Sequence, residues 1–202
     1  MLASIAENPT YFWLTLAHLV IAITIHELSH ALAASRLGDD TAEAAGRLTL
    51  NPLAHLDLMG TVFLVLFGFG WGKPTPVNAS RLGSPKRDSI LVALAGPLAN
   101  LILIGLWIGL LLIFSPELNS IAWDFSRIGI QLNLVLALFN LLPFPPLDGS
   151  AILMALLPPR AQGLYTVYGQ WTLLILIILS LIGVRFLEAL ISWPIRLLSN
   201  LL

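Results

Sequence analysis

Apolar residues in this chain come in long unbroken runs separated by short polar segments, rather than in the one-faced stripes of a water-exposed helix. The first run, residues 11–34, is about 36 Å long as a helix, enough to cross the roughly 30 Å hydrocarbon layer of a bilayer. It ends at Arg36 and Gly38, and the polar segment 38–47 follows. Next, Leu48-Thr-Leu-Asn-Pro52 alternates in polarity, which predicts a short extended piece closed by a turn at Asn51-Pro52. A second run, 58–71, is too short for a full span and dissolves into Gly68-Phe-Gly-Trp-Gly-Lys-Pro-Thr-Pro76, a sequence that breaks helices. Residues 90–114 form a third run, interrupted by Gly96-Pro97 and Asn100, and an acidic segment, 115–126, follows with Glu117 and Asp124. A return run over 128–142 breaks at Pro143-Phe-Pro-Pro-Leu-Asp-Gly149, resumes as helix over 150–157 and stops at Pro158-Pro159-Arg160. Residues 165–183 predict a last clear span, and 184–202, with Arg185, Glu188 and Arg196, an interfacial or tilted helix.

Composition turns this pattern into a class. The chain has 202 residues, 57% hydrophobic and only 10% charged, with a mean hydropathy of +0.89. It reads as an all-α polytopic membrane protein with about four to six transmembrane segments. A single domain is expected over 1–202, with a core at about 11–157 and additional membrane helices over 165–202. Basic residues flank the short second run on both sides, Arg36 and Arg47 before it and Lys73, Arg81, Lys86 and Arg87 after it. A full span would split them across the membrane, whereas a re-entrant, strand-like element near 58–78 keeps all six on one cytoplasmic side. The opening Met-Leu-Ala-Ser-Ile-Ala-Glu7 lacks a basic signal-peptide region, so the first run is expected to be retained. A net charge of −1 and no basic tract beyond Lys86-Arg87 argue against nucleic acid as a partner. Without cysteine, any metal ligand must be His, Asp or Glu.

The first run contains His26-Glu27-Leu28-Ser29-His30. Four residues apart on a helix, the two imidazoles stack on one face and can reach one divalent cation, with Glu27 beside it to take a proton from its water. Each ionisable group at membrane depth costs about 2.5–3.5 kcal/mol on insertion scales, so three within five residues call for a partner such as a metal. At 9–15 Å from the Arg36 end, roughly, the pair is submerged but not central. A hydrolytic zinc needs a third protein ligand. Asp148 has the best context, because three prolines before it force the chain out of helix, and irregular backbone at that depth lines a cavity or is buried in protein; Asp57 is the weaker alternative. Read from these residues alone, the set also suits a metal transporter or receptor, although neither needs a base that is not a ligand, and no repeated half is visible. His55 reads as a turn histidine or a cleft hydrogen bonder. His18, about 80° off the His26 face, reads as structural, and Asn100 and Asn133 as interhelical hydrogen-bond formers.

His26-Glu27-x-x-His30 together with Asn140-x-x-Pro143-x-Pro145-x-Leu147-Asp148-Gly149 resembles the paired motifs of the site-2 protease family, intramembrane zinc metalloproteases. The segments Gly46 to Pro52, Phe69 to Asn78 and Ala95-Gly96-Pro97-x-x-Asn100 resemble parts of its small bacterial and archaeal members. The resemblance implies one Zn2+ held by His26, His30 and Asp148, with Glu27 as general base and Asn140 as a polar stabiliser near the scissile carbonyl. It implies peptide hydrolysis in or near the spans of other membrane proteins, in a prokaryotic inner or plasma membrane with the site toward the cytoplasm. The Phe69 to Asn78 segment would be the strand-like element that pairs with unwound substrate. A silent relative that only holds membrane proteins is the remaining alternative, and the intact motifs argue against it.

Overall fold

A computed structural model describes residues 8–67, 70–181 and 192. The first apolar run is the helix α1, Pro9–Arg36, started by Pro9 and by Asn8, whose side-chain oxygen accepts the Tyr11 N–H at 3.0 Å. Gly38, at φ +102, turns the chain away from α1 into the short helix α2, Thr41–Ala44. Residues 48–52 are not a strand. Asn51 instead starts a 3-10 turn, Pro52–Ala54, by accepting the Leu53 N–H at 3.1 Å, so the local side chain satisfies the backbone that a strand partner would have used.

The second run is the helix α3, Leu58–Phe67, ten residues and so about 15 Å, half the thickness of the hydrocarbon layer. Residues 70–78 then run extended. They meet the 52–56 turn through one isolated antiparallel bridge, Leu56 with Gly72, and the Lys73 N–H donates to the His55 carbonyl at 2.8 Å. No strand forms among the described residues.

The long helix α4, Pro85–Phe114, passes through Pro97 without ending. It is the centre of the fold and packs against α1, against α5, Ile121–Asn140, and against α6, Asp148–Leu156, while α1 also packs on α5. Small residues permit this closeness: Ala22, Ala31 and Ala34 on α1 and Ala137 on α5 are buried. The α5 helix starts at Ile121, within the segment expected to be an acidic loop. Ser120 caps it by accepting the Trp123 N–H at 3.2 Å, and Asp124 lies in the first turn, where its charge complements the helix dipole. Trp123 and Phe125 pack on Trp107, Leu111 and Ile130. A further helix, α7, covers Pro159–Leu181. The expected helix over 184–202 lies outside the described residues apart from Ser192.

Three of these helices, α1, α4 and α5, are long and apolar enough to cross a membrane. Their outward faces stay apolar, as with Ile102, Leu112, Ile113 and Phe114 on α4, which suits contact with lipid rather than water.

Candidate metal centre

His26 and His30 project from successive turns of α1 into the seam with α4, both buried, with their ring centroids 4.7 Å apart and the rings nearly perpendicular. Their Nε2 atoms are 3.1 Å apart. Asp148, the first residue of α6, closes the group: its Oδ2 is 3.1 Å from His26 Nε2 and its Oδ1 3.3 Å from His30 Nε2. Gly149 makes the approach possible. A Cβ there would sit 2.2 Å from the Leu141 carbonyl oxygen, so only glycine lets the chain between α5 and α6 fold this tightly. From the other side Gly96 of α4 presses directly on the imidazoles. Its own Cβ, if it had one, would be 2.4 Å from His30 Nε2 and 2.7 Å from His26 Nε2.

The donor set fits zinc. The Val92 carbonyl can only accept, so His30 donates its Nδ1 proton there over 2.7 Å, which in the neutral ring leaves Nε2 as a bare lone pair. That lone pair faces Asp148 Oδ1 and His26 Nε2, while Asp148 Oδ2 is buried without a hydrogen-bond donor. Electron pairs so opposed repel unless a cation lies among them. Two imidazoles and a carboxylate are the ligands of a three-coordinate protein site with a fourth position open, and ligand atoms of a tetrahedral zinc lie roughly 3.3 Å from one another. The observed separations of 3.1 to 3.3 Å match that spacing.

Glu27 points to the opposite neighbour, the extended segment. Its Oε2 accepts from the Thr75 N–H at 2.9 Å and the Thr75 hydroxyl at 2.7 Å, and Arg47 Nη2 lies 3.9 Å away. The buried Arg47 guanidinium also donates to the carbonyls of Lys73 and Pro74, the latter at 3.0 Å. At the far end, the Asp39 carboxylate accepts the Asn78 N–H at 2.6 Å. Arg47, Glu27 and Asp39 thus pin residues 73–78 at three points.

Burial pushes the Asp39 carboxyl up, but the Thr41 hydroxyl, the Asn78 and Thr41 N–H groups and the Arg81 charge outweigh it and hold the group below the ordinary range. A folded pKa below the unfolded one, about 3.9, stabilises the docked segment fully above that value, and the effect disappears as pH falls through the depressed folded value. Asp39→Ala is therefore expected to loosen residues 73–78 by on the order of 1–3 kcal/mol. The readout is a loss of amide protection around Asn78 relative to wild type, the ratio of the two changing little from about pH 5 to 8; unchanged protection would contradict this clamp.

The other predicted residues divide. Asn140, at the end of α5, donates its amide to Leu136 O within its own helix at 3.0 Å. His55 is buried in the 52–56 turn and donates from Nε2 to the Thr49 carbonyl at 2.8 Å, the turn histidine of the sequence reading. His18 is buried against Trp107 and Phe125, with ring centroids 4.9 and 4.3 Å away. Asp57 starts α3 by accepting the Gly60 N–H at 2.8 Å and takes no part in the cluster. Asn100, read as an interhelical hydrogen-bond former, does more: its Oδ1 is 2.6 Å from His26 Nδ1.

Comparison with known proteins places this arrangement. The sequence model of peptidase family M50 matches residues 115–182, the stretch containing Asp148. YwhC of Bacillus subtilis (strain 168) is 42% identical over 184 residues, covering 87% of this chain and 82% of YwhC. The chain belongs to peptidase family M50. Rip2 of Mycolicibacterium smegmatis is 34% identical over 83% of the chain and 66% of its own length. MJ0392 of Methanocaldococcus jannaschii is 26% identical over 92% of the chain but only 48% of its own length. YwhC and Rip2 are named as candidate zinc metalloproteases and MJ0392 as a zinc metalloprotease. No solved structure matches the chain. As an M50 member with long apolar helices, the protein is an integral membrane protein of the site-2 protease family.

Proposed function

We propose that this M50 protein is an intramembrane zinc metalloendopeptidase of the H-E-x-x-H type, with one Zn2+ held by His26, His30 and Asp148. The observation that carries the reading is the meeting of two imidazoles and a carboxylate, all within 4.8 Å of one another, on residues far apart in the sequence. Zinc in such a site supplies Lewis acidity to a substrate carbonyl and a water whose pKa falls to about 7. Glu27, adjacent in sequence to one ligand and not itself part of the cluster, takes the proton of the attacking water at its carboxylate and returns it to the leaving amine. Asn140 is kept as a polar group near the substrate carbonyl.

Substrates are membrane proteins with one or a few spans. A helix hides its carbonyls in its own hydrogen bonds, so the cleaved segment must be unwound. The extended residues 70–78, docked beside Glu27, are the element against which it would lie, with α3 as the re-entrant arm. This and the break before α6 leave about four to six spans in a single domain over 1–202, its core at 11–157 and further helices over 165–202. The basic flank at Arg36, Arg47, Lys73, Arg81, Lys86 and Arg87 supports a site toward the cytoplasmic face of a prokaryotic membrane.

The test is cleavage of a single-span substrate by purified protein in detergent, with metal content measured on the same sample. One zinc per chain, lost in Asp148→Ala, and cleavage that stops on chelation and returns with zinc are expected. Cleavage by metal-free protein would end this reading.

A further inference from the structure

His26 can offer Nε2 to a cation only when its proton sits on Nδ1. Nδ1 faces Asn100 at 2.6 Å, and an asparagine can turn either an oxygen or an NH2 toward it. The choice is made two residues away. The Gly129 carbonyl on α5 can only accept, so Asn133, 2.7 Å from it, must place its amide nitrogen there and its Oδ1 toward α4. Asn100 meets that oxygen at 2.8 Å and must place its own nitrogen there, with the Ala22 carbonyl at 3.4 Å as a second acceptor on the same nitrogen. Its Oδ1 is left for His26. Asn100 is 0% and Asn133 1% exposed, so flipping either amide would set oxygen against oxygen in apolar surroundings.

We propose that Gly129, Asn133 and Asn100 form a relay of hydrogen-bond polarity across α5 and α4 that sets the tautomer and ring orientation of His26, which makes Asn100 a positioning residue of the metal site. The relay rests on the reading of His26, His30 and Asp148 as metal ligands. It differs from simple interhelical adhesion in what it predicts, because adhesion would affect folding without regard to which atom faces the histidine.

The experiment measures zinc affinity of the full chain in detergent by competition with a chromogenic chelator, with helical content by circular dichroism and the visible spectrum of the cobalt-substituted protein alongside. Asn100→Leu, similar in size but without an acceptor, is expected to weaken zinc binding about 10–100-fold with helical content intact and an altered cobalt spectrum. Asn100→Asp keeps an acceptor on His26 Nδ1 but sets its second oxygen against Asn133 Oδ1, so its affinity is expected to fall between wild type and Asn100→Leu. Asn133→Leu frees Asn100 to flip and should weaken binding in the same direction by less. His26→Ala and Asp148→Ala are the controls: wild type that binds no zinc through these residues defeats the metal-site reading itself. With the controls behaving, folded Asn100→Leu of wild-type affinity overturns the relay, and so does Asn100→Asp losing as much as Asn100→Leu. If Asn100→Leu does not fold, Asn133→Leu decides, and wild-type affinity there is the overturning result.

Discussion

Replacing Glu27 by Gln is expected to slow substrate cleavage by roughly 10²–10⁴-fold while zinc content stays at the wild-type level and the melting temperature drops only modestly, through the charge lost opposite the buried Arg47. The separation of effects follows from what holds Glu27. Its Oε2 accepts two bonds from Thr75, and a glutamine oxygen accepts the same two. The amide therefore keeps residues 73–78 in place, but its nitrogen has no lone pair free to take a proton from water. Glu27→Ala is the informative contrast, because it leaves the Thr75 N–H unpaired and the Thr75 hydroxyl with only the residue-27 carbonyl, 3.0 Å away, and is expected to loosen the extended segment as well. Kinetics on a single-span substrate, with zinc measured on the same preparation, check the prediction. Cleavage by Glu27→Gln at the wild-type rate would remove Glu27 from the role of base.

The helices were legible in the sequence because the membrane imposes long apolar runs, and α1 and α4 lie within a few residues of their predicted places. The break before α6 was legible for a covalent reason, since prolines at 143, 145 and 146 cannot continue a helix. What escaped depends on which side chains meet in three dimensions. Thr75 carries no sequence signal for its bonds to Glu27, because a threonine in a Pro-rich segment says nothing about what it docks against. The start of α5 at Ile121 was hidden by Glu117 and Asp124, whose charges suggested a loop although Asp124 sits where a helix dipole favours it. Asn100 was the nearest miss. It stands four residues after Gly96, so both occupy one face of α4, and a glycine and an asparagine one turn apart in an apolar helix could have pointed to a close approach with a hydrogen bond behind it.

That close approach sets the second large effect. Gly96→Ala is expected to keep its helices at a modest net cost in stability, since the gain of about 1 kcal/mol from alanine over glycine within a helix is offset by overpacking of about 1–3 kcal/mol. Zinc binding takes the larger loss. The added methyl would lie 2.4 Å from His30 Nε2 and 2.6 Å from His26 Cε1, closer than any carbon settles against a ring, so something must shift. The α4 backbone cannot withdraw easily, being packed against α1, α5 and α6. The imidazoles cannot move without breaking their bonds to Val92 O at 2.7 Å and to Asn100 at 2.6 Å. Rings so displaced no longer converge on Asp148. Zinc affinity is expected to fall by about 100-fold or more, at or past the upper end for disturbed outer-shell partners, and cleavage to fall with it. Chelator competition and thermal melting on the same variant decide the matter: wild-type zinc affinity in a stable Gly96→Ala protein would mean that the histidine pair is not held against α4 as described.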